Sequence, residues 1–376
     1  MLKLKQWTKN DLLLALLLIL SSRIFYIFFG IIFNIYKGSD KNYFDLMNQW
    51  DAGWYFSISE NGYAKEPTGH AKGDAANWAF FPLYPLGIHF FSRLVSLPIQ
   101  QSGVILSTIS LIVATSYLLK YVTITRNRTI AVIAAVLITY GPYSFYFSST
   151  YTESLFAMLI ILTLYNAQQK RWLLCGLFGA FLSATRPTGV LIFIPVLLEI
   201  VIPIFKEKRN IANVFLDLIK DSKILFSLLL IPSGLFAYMT FLYFHVGDAF
   251  AFSHVQIAWD RENGNPFKLL LDGLFLKGLY SKYASIWGIV AISLSVYLFI
   301  RKKFGEAILG FLCIIIPLLS SLQSIPRYVV GCIVLTIALS EIICRLTKWR
   351  WAIVVLFCIV NVPLTYLWFS ASPYMA

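Results

Sequence analysis

The chain has 376 residues, of which 59% are hydrophobic and 13% are charged. An ordinary soluble domain carries about twice that charged fraction, so the composition excludes a soluble globular protein. The formal net charge of +13 comes from basic residues in short clusters between apolar runs. That distribution is typical of a membrane protein that follows the positive-inside rule, and it argues against a nucleic-acid-binding protein.

Apolar runs of about 20 residues recur along the chain and predict a polytopic, all-α membrane protein with about 11 transmembrane helices. We expect residues 1–376 to form a single integral membrane domain. The five cysteines all lie in apolar segments and none forms a CxxC pair, so neither a disulfide framework nor a metal site is expected. The predicted spans are 11–35, 101–119, 129–147, 152–167, 172–185, 189–205, 224–246, 283–300, 305–322, 328–344 and 351–370.

The basic clusters fix the predicted orientation. Lys3 and Lys5 precede the first apolar run, which lacks a following cleavage site and is expected to be a retained helix. A cytoplasmic N-terminus then places every basic cluster, including the linker 206–223, on the cytoplasmic side. The long segments 36–100 and 247–282 become extracytoplasmic, together with most acidic residues. Chemistry at that face is separated from nucleotides and ATP, which favours a substrate already attached to lipid.

Two shorter elements follow from local signals. The basic flanks of residues 172–205 favour a helical hairpin over one long helix, with its tip at residues 185–189, where Pro and Gly break the helix. Aromatic residues from Phe81 onward predict a helix along the membrane interface, reaching about Leu97.

Asp51 is the leading catalytic candidate, because it lies between Trp50 and Trp54 in the first long segment. A carboxylate in this position can take a proton from an attacking hydroxyl, which is the role of a general base. It can equally cap the helix expected from Ala52, since Asp is a favoured N-cap. The sequence pattern supports both roles equally, and Asp45 is the alternative base.

Three other charged residues are expected near the same face. Glu153 begins a span, where it can bind sugar hydroxyls or complement the helix dipole. Arg186 and Arg327 lie beside prolines, in irregular backbone that a membrane tolerates only against protein or a wet cavity. A guanidinium suits a phosphate leaving group, although anchoring at the interface is the alternative. Arg23, inside the first span, requires an ion pair or a place in the phosphate site.

The remaining signals are weaker. Gln256 and Trp259 lie three residues apart, and an amide with an aromatic ring is a common sugar-binding pair, although interfacial anchoring explains the Trp better. No histidine pair has metal-ligand spacing, and no glycine-rich phosphate-binding motif is present. We therefore predict no cofactor and no metal ion.

Several sequence blocks form a recognisable set. They are residues 50–55 (WDAGWY), 60–63 (ENGY), 79–85 (AFFPLYP), 151–156 (YTESLF), 185–189 (TRPTG), 324–328 (SIPRY) and, less closely, 256–261 (QIAWDR). Together these blocks resemble the GPI mannosyltransferase II (PIG-V-like) family, in its bacterial branch. Any one block alone is a weak signal, but they occur in the family's order and cover most of the chain.

The resemblance implies a C-type (GT-C) glycosyltransferase in a bacterial cell membrane, with a long first extracytoplasmic loop. It implies that Asp51 is the essential acid of that loop and that the donor is a polyprenyl-phosphate sugar, of the dolichyl- or undecaprenyl-phosphate-mannose type. The compact chain lacks the extra luminal material of eukaryotic members. A bacterial lipid or glycan acceptor is therefore expected in place of a GPI precursor.

The sequence thus predicts inverting, metal-independent transfer of a hexose, with mannose implied by the resemblance. Asp51 would be the base, and Arg327 or Arg186 would neutralise the departing phosphate. A transporter or flippase of lipid-linked sugars is the alternative, but it predicts pseudo-repeated halves that are not visible. An inert scaffold of an envelope-glycan complex is a third possibility. The other residues expected to bind or enclose the substrates are Glu153, Trp50, Trp54, Tyr151, Gln256, Arg261, Trp78 and Tyr84.

Overall fold

The computed structural model describes residues 9–67, 74–208, 221–261 and 264–375. Within these ranges the chain forms helices joined by turns and loops, without any β-strand. Lys3, Lys5 and most of the 206–223 linker, on which part of the predicted orientation rests, lie outside the described residues.

The helices account for most of the described chain, and they are connected by turns and loops. In chain order they are α1 (Lys9–Lys37), α2 (Tyr43–Met47), α3 (Ala52–Asn61), α4 (Leu83–Val95), α5 (Ile99–Thr125), α6 (Arg128–Tyr140), α7 (Glu153–Gln168), α8 (Trp172–Ser183), α9 (Phe193–Lys208), α10 (Ser222–Leu230), α11 (Ser233–Val246), α12 (Ala251–His254), α13 (Pro266–Phe275), α14 (Leu279–Ile300), α15 (Phe304–Leu318), α16 (Ile325–Gly331), α17 (Ile333–Arg345) and α18 (Arg350–Phe369). Short 3₁₀ turns cover Asn77–Ala79, Ser144–Phe147, Pro187–Ile192, Val255–Trp259 and Pro373–Met375.

Five described helical segments are long and apolar enough to cross a membrane. They are α1, α5, α14, α18 and the segment Pro187–Phe205, and the number is seven if the bent pairs α10–α11 and α16–α17 each form one span. The shorter apolar helices α6, α7, α8 and α15 occupy the other predicted positions. The all-helical membrane class therefore follows from the fold, whereas the total of about 11 spans and the single domain stay predictions.

Helix breaks occur at three informative places. The predicted span 129–147 is helical only to Tyr140, because Gly141 and Pro142 follow. The predicted span 328–344 is interrupted at Cys332, where α16 and α17 meet at a bend of 77°. Within 172–205, α8 ends at Ser183 and a 3₁₀ turn begins at Pro187, at the predicted tip.

Helix α7 forms the centre of the bundle, with nearly every residue buried, and it packs against α5 and α8. Glu153 begins this helix and Gln168 ends it, about 22 Å apart at a rise of 1.5 Å per residue. The two ends of α7 therefore mark the two ends of the bundle.

The first long segment packs over one end of the bundle through α3 and α4. In α4, Tyr84 and Ile88 are buried while Phe90 and Leu94 are exposed. The Tyr84 hydroxyl lies 3.0 Å from the Gly103 carbonyl oxygen, to which it donates a hydrogen bond that ties α4 to α5. This amphipathic helix is the one that the aromatic pattern predicts.

Candidate active site

Asp51 forms an ion pair instead of capping a helix. Helix α3 does begin at Ala52, but the Asp51 side chain makes no capping hydrogen bond. Its Oδ2 atom lies 2.6 Å from Nη1 of Arg327, which is 276 residues away in the chain. The Asp51 side chain is 31% exposed and that of Arg327 only 7%. The capping alternative is therefore wrong, and Asp51 is a paired carboxylate that solvent can still reach.

Asp45, the alternative base, is the residue that does cap a helix. Its Oδ2 accepts a hydrogen bond from the Asn42 backbone N–H at 3.0 Å. The Asn42 side chain accepts in return from the Asp45 N–H at 3.1 Å. This reciprocal capping box at the start of α2 gives Asp45 a local structural role.

Glu153 brings together the two arginines that the sequence singles out separately. Its Oε1 accepts a hydrogen bond from Nε of Arg327 at 2.6 Å and another from Nη2 of Arg186. Arg186 also donates through Nε to the Thr152 hydroxyl. The Glu153 side chain is almost fully buried. Asp51, Arg327, Glu153 and Arg186 thus form one chain of alternating charge with no net charge, which we call the four-charge cluster.

Each arginine is held by an interruption of helical structure. Arg327 lies in the first turn of α16, after Ser324 in a left-handed conformation (φ +62°) and beside Pro326. Arg186 follows the end of α8, where a Cβ on Gly189 would collide with the Leu182 carbonyl oxygen. Glycine therefore allows the turn after Arg186 to fold back onto α8. Such backbone is tolerated in a membrane protein where it lies against protein or lines a cavity.

Tyr151 contacts two members of the four-charge cluster, Arg327 and Asp51. Its ring centroid lies 4.5 Å from Cζ of Arg327, within the range of a cation–π contact. Its hydroxyl accepts from the Asp51 N–H and donates to the Gln49 carbonyl oxygen, both at 3.1 Å. Burial, with the Asp51 charge as a second cause, holds the pKa of Tyr151 well above its ordinary value. Tyr151 is therefore a protonated, fully buried residue that positions Asp51 and Arg327.

Aromatic side chains connect the two long segments next to Asp51. Trp54 stacks on Phe80 with centroids 5.7 Å apart, and Trp259 contacts Trp54 edge-on at 5.8 Å. Trp50 is 41% exposed and has a left-handed backbone (φ +50°). Trp78 donates its indole N–H to the Ala64 carbonyl oxygen, within its own loop. The role of Trp259 as a bridge between the segments was not evident from its spacing to Gln256.

Gln256 and Arg261 are paired with each other. Nη1 of Arg261 donates to Oε1 of Gln256 at 2.8 Å, and the Gln256 amide donates to the Phe252 carbonyl oxygen. Among the described contacts, none joins this pair to the four-charge cluster. Their predicted role in substrate binding therefore stays a prediction.

Arg23 has hydroxyl partners. Its guanidinium donates to the side chains of Thr108, Ser22 and Ser148, and it is buried. The expected ion pair is not among its described contacts. Hydroxyl groups thus provide hydrogen bonds to a charge inside the first span, while its Nη2 atom is buried with no hydrogen-bond partner among the described residues.

A second buried charge cluster, which the sequence analysis missed, lies at the other end of the bundle. Arg126 makes two hydrogen bonds to the Glu306 carboxylate, at 2.8 and 2.5 Å, and Tyr121 donates to the same group. Arg301 and Arg126 both approach Glu341. Acidic residues inside apolar runs are costly, so Glu306 and Glu341 did offer a signal.

Comparison with solved structures shows a shared fold. The oligosaccharyltransferase AglB from Archaeoglobus fulgidus, in complex with an inhibitory peptide and a dolichol-phosphate, superposes with a TM-score of 0.51 at 14% identity. The alignment covers 98% of this chain and 56% of AglB. The apo form of the oligosaccharyltransferase from the same organism gives the same values. The chain therefore shares the fold of these oligosaccharyltransferases and spans little more than half of their length.

Sequence comparison identifies the family. No curated protein matches the chain. The family described as Mannosyltransferase (PIG-V) matches residues 30–247, more than half of the chain. This range includes Asp51, Glu153 and Arg186 and ends before Arg327. The chain belongs to the mannosyltransferase (PIG-V) family.

Proposed function

We propose that the protein transfers a hexose, mannose by its family, from a polyprenyl-phosphate donor to a lipid or glycan acceptor at the extracytoplasmic face of a bacterial membrane. The single observation that carries this proposal is the four-charge cluster, in which a partly exposed carboxylate pairs with the buried guanidinium of Arg327, and Glu153 links that group to the second guanidinium, of Arg186. Family membership supports the sugar, and the dolichol-phosphate bound to AglB supports the class of donor.

The reaction is a single displacement with inversion at the anomeric carbon. The acceptor oxygen forms a bond to that carbon while the bond from the carbon to the donor phosphate oxygen breaks. Asp51 takes the acceptor proton, because it is the carboxylate of the cluster that solvent reaches. The polyprenyl phosphate leaves as an anion that needs charge neutralisation, and a guanidinium supplies it.

Arg327 connects the two halves of this reaction. In the structure its Nη1 contacts Asp51 and its Nε contacts Glu153. A donor phosphate that takes over Nη1 releases the Asp51 carboxylate to act as a base. The contact with Glu153 holds the guanidinium in place during this exchange. Binding of the donor therefore precedes proton transfer, and Arg186 is the second guanidinium available to the phosphate.

The aromatic residues around Asp51 enclose the sugar. Trp54 and Trp259 form a wall next to the carboxylate, and the exposed ring of Trp50 offers a face for stacking. Tyr151 contributes by positioning Asp51. No step of this mechanism uses a metal ion or a cofactor.

The test is sugar transfer by the purified protein from synthetic polyprenyl-phosphate-mannose, with membrane lipid extract and octyl mannoside as acceptors. Asp51→Asn is compared with Asp45→Asn, which makes the same chemical change in the capping box. We expect Asp51→Asn to lower turnover by about 10²- to 10⁴-fold with donor binding retained, as for loss of a general base. Asp45→Asn should keep turnover within a few-fold.

Two results would contradict the proposal. Equal turnover of both variants would remove Asp51 from the reaction. Movement of intact donor across proteoliposome membranes, with no mannose released or transferred, would support the alternative of a transporter.

A further inference from the structure

A cavity of about 350 Å³ lies at the end of the bundle opposite the four-charge cluster. Its walls come from the ends of α5 and α7, the flank of α9 and the turn between α14 and α15. Gln168, the last residue of α7, lines it, whereas Glu153 at the start of the same helix belongs to the four-charge cluster. The volume is that of a small-molecule site, and the proposed transferase mechanism does not use it.

The lining of the cavity carries one more positive charge than negative charge. Arg126 is neutralised by its paired hydrogen bonds to Glu306, which leaves Lys302 and Lys303 facing Glu199. Burial, and then the nearby charge of Arg126, hold the pKa of Lys303 below its ordinary value. A bound anion would relieve both effects, because it stabilises the ammonium in a partly desolvated place.

The cavity wall also contains hydrogen-bond acceptors. Oε1 of Gln168 is buried and has no hydrogen-bond partner among the described residues. The Glu199 carboxylate lines the same space. A buried acceptor without a partner is unfavourable, so a ligand that donates a hydrogen bond here is favoured. The site therefore suits a ligand that carries an anion and a donor a few bonds apart.

One side of the cavity is apolar. Leu198 and Ile202 on α9 line it together with Leu164 and Phe304. Helix α9 belongs to the candidate membrane span Pro187–Phe205, and Phe205 at its end is 47% exposed. A hydrocarbon chain attached to the ligand could continue along this wall into the surrounding bilayer.

We propose that this cavity binds the head group of a glycerophospholipid. The phosphodiester lies between Lys302 and Lys303, an ammonium group of the phosphatidylethanolamine type lies at Glu199 and Gln168, and an acyl chain follows α9. Basic pockets between membrane helices bind phospholipid head groups in this way. The inference does not depend on the transferase activity.

The first experiment is a lipid titration of the detergent-purified protein, followed by native mass spectrometry with palmitoyl-oleoyl phosphatidylethanolamine. The double variant Lys302→Gln, Lys303→Gln is compared with Lys223→Gln, Lys348→Gln, which removes the same charge from exposed lysines outside the cavity. We expect the cavity variant to raise the Kd at least tenfold and the control to match the wild type. Equal affinities in the two variants would overturn the proposal.

The second experiment tests the ammonium. Phosphatidylcholine, which cannot donate an N–H, should bind the wild type about tenfold more weakly, and Glu199→Gln should abolish this preference. Equal binding of phosphatidylglycerol would overturn the ammonium assignment. Displacement of the lipid by soluble O-phosphoethanolamine at equal concentration would overturn the lipid assignment in favour of a free phosphate ester.

Discussion

Two clusters of buried, paired charges lie at opposite ends of the bundle, and they differ in how they are built. The four-charge cluster is held by helix interruptions next to Pro and Gly, and its Asp51 side chain is 31% exposed. The second cluster joins Arg126, at the end of α5, to Glu306 and Glu341, whose side chains are each only 7% exposed. Charge pairing is common to both, so access to one carboxylate is the feature that distinguishes the proposed reactive site from the second cluster.

The arginines of the two clusters also differ in how their hydrogen bonds are distributed over carboxylates. Arg126 makes a two-point contact with one carboxylate, the geometry that guanidinium and carboxylate groups favour. Arg327 divides its donors between Asp51 and Glu153. One of its contacts can therefore be exchanged for a ligand while the other is retained, whereas Arg126 has no equivalent freedom.

The largest expected effect comes from replacing the shared arginine. In Arg327→Lys one ammonium cannot span Asp51 and Glu153 together or present a planar fork to a phosphate. We expect turnover with polyprenyl-phosphate-mannose to fall by about 10²- to 10³-fold, as when one transition-state donor is removed. The matched variant Arg126→Lys should keep turnover per folded molecule within a few-fold. An equal loss in both variants would mean that the clusters do not differ in function.

The second effect concerns stability. Here the larger loss is expected in the second cluster, and the smaller one in the four-charge cluster. Glu306→Gln removes the carboxylate that accepts both hydrogen bonds of the buried Arg126 and leaves Glu341 only at 3.7 Å from its Nε, which should cost about 3–5 kcal/mol in the free energy of unfolding. Asp51→Asn should cost far less, because Asp51 is partly solvated and Arg327 keeps Glu153. Reversible unfolding in detergent measures both. The contrast fails if Asp51→Asn is as destabilising as Glu306→Gln.

The sequence predicted the members of the four-charge cluster one at a time. Asp51 between two tryptophans, Glu153 at the start of a span, and Arg186 and Arg327 beside prolines were each identified from local chemistry. Their meeting at Glu153 could not be predicted, since Arg327 is 174 residues from Glu153 and their contact depends on how the helices pack. Apolar periodicity indicates where helices lie along the chain and carries no information about which ends adjoin.

Other features were beyond local reasoning for a different reason. An Asp before a helix is compatible with capping and with catalysis, and only its partner Arg327 excludes the cap. The break at Cys332 lies inside a continuous apolar run, so hydrophobicity alone extends the helix through it. The break after Tyr140 did have a local signal in Gly141 and Pro142, which the prediction from hydrophobicity did not use. The cavity around Lys303 combines four separate helices and has no local motif at all.

A smaller effect tests the aromatic wall beside Asp51. Trp259→Ala removes the edge contacts to Trp54 and Phe80, which are worth about 0.5–1.5 kcal/mol beyond the area they bury. We expect the KM for donor or acceptor to rise about 3- to 10-fold with kcat little changed. Trp349→Ala, which alters an exposed tryptophan outside both clusters, serves as the control. An unchanged KM would separate the aromatic wall from substrate binding.

The smallest effect is expected at an exposed ion pair. Comparison with this pair shows how much burial adds to the stabilisation by the charge pairs of the two clusters. Oδ2 of Asp248 lies 2.7 Å from Nδ1 of His254, and both side chains are substantially exposed. The hydrogen bond from His254, followed by the Phe250 N–H, holds the pKa of Asp248 below its ordinary value. A lowered folded-state pKa stabilises the fold above the unfolded value of about 3.9 and loses that contribution as the pH falls through the folded value. Asp248→Asn should therefore lower the free energy of unfolding by less than about 1 kcal/mol at pH 6, and the difference from the wild type should shrink as the pH falls below the unfolded value. If the free energy of unfolding fell as much as in Glu306→Gln, solvent exposure would not explain the difference between this pair and the buried pairs.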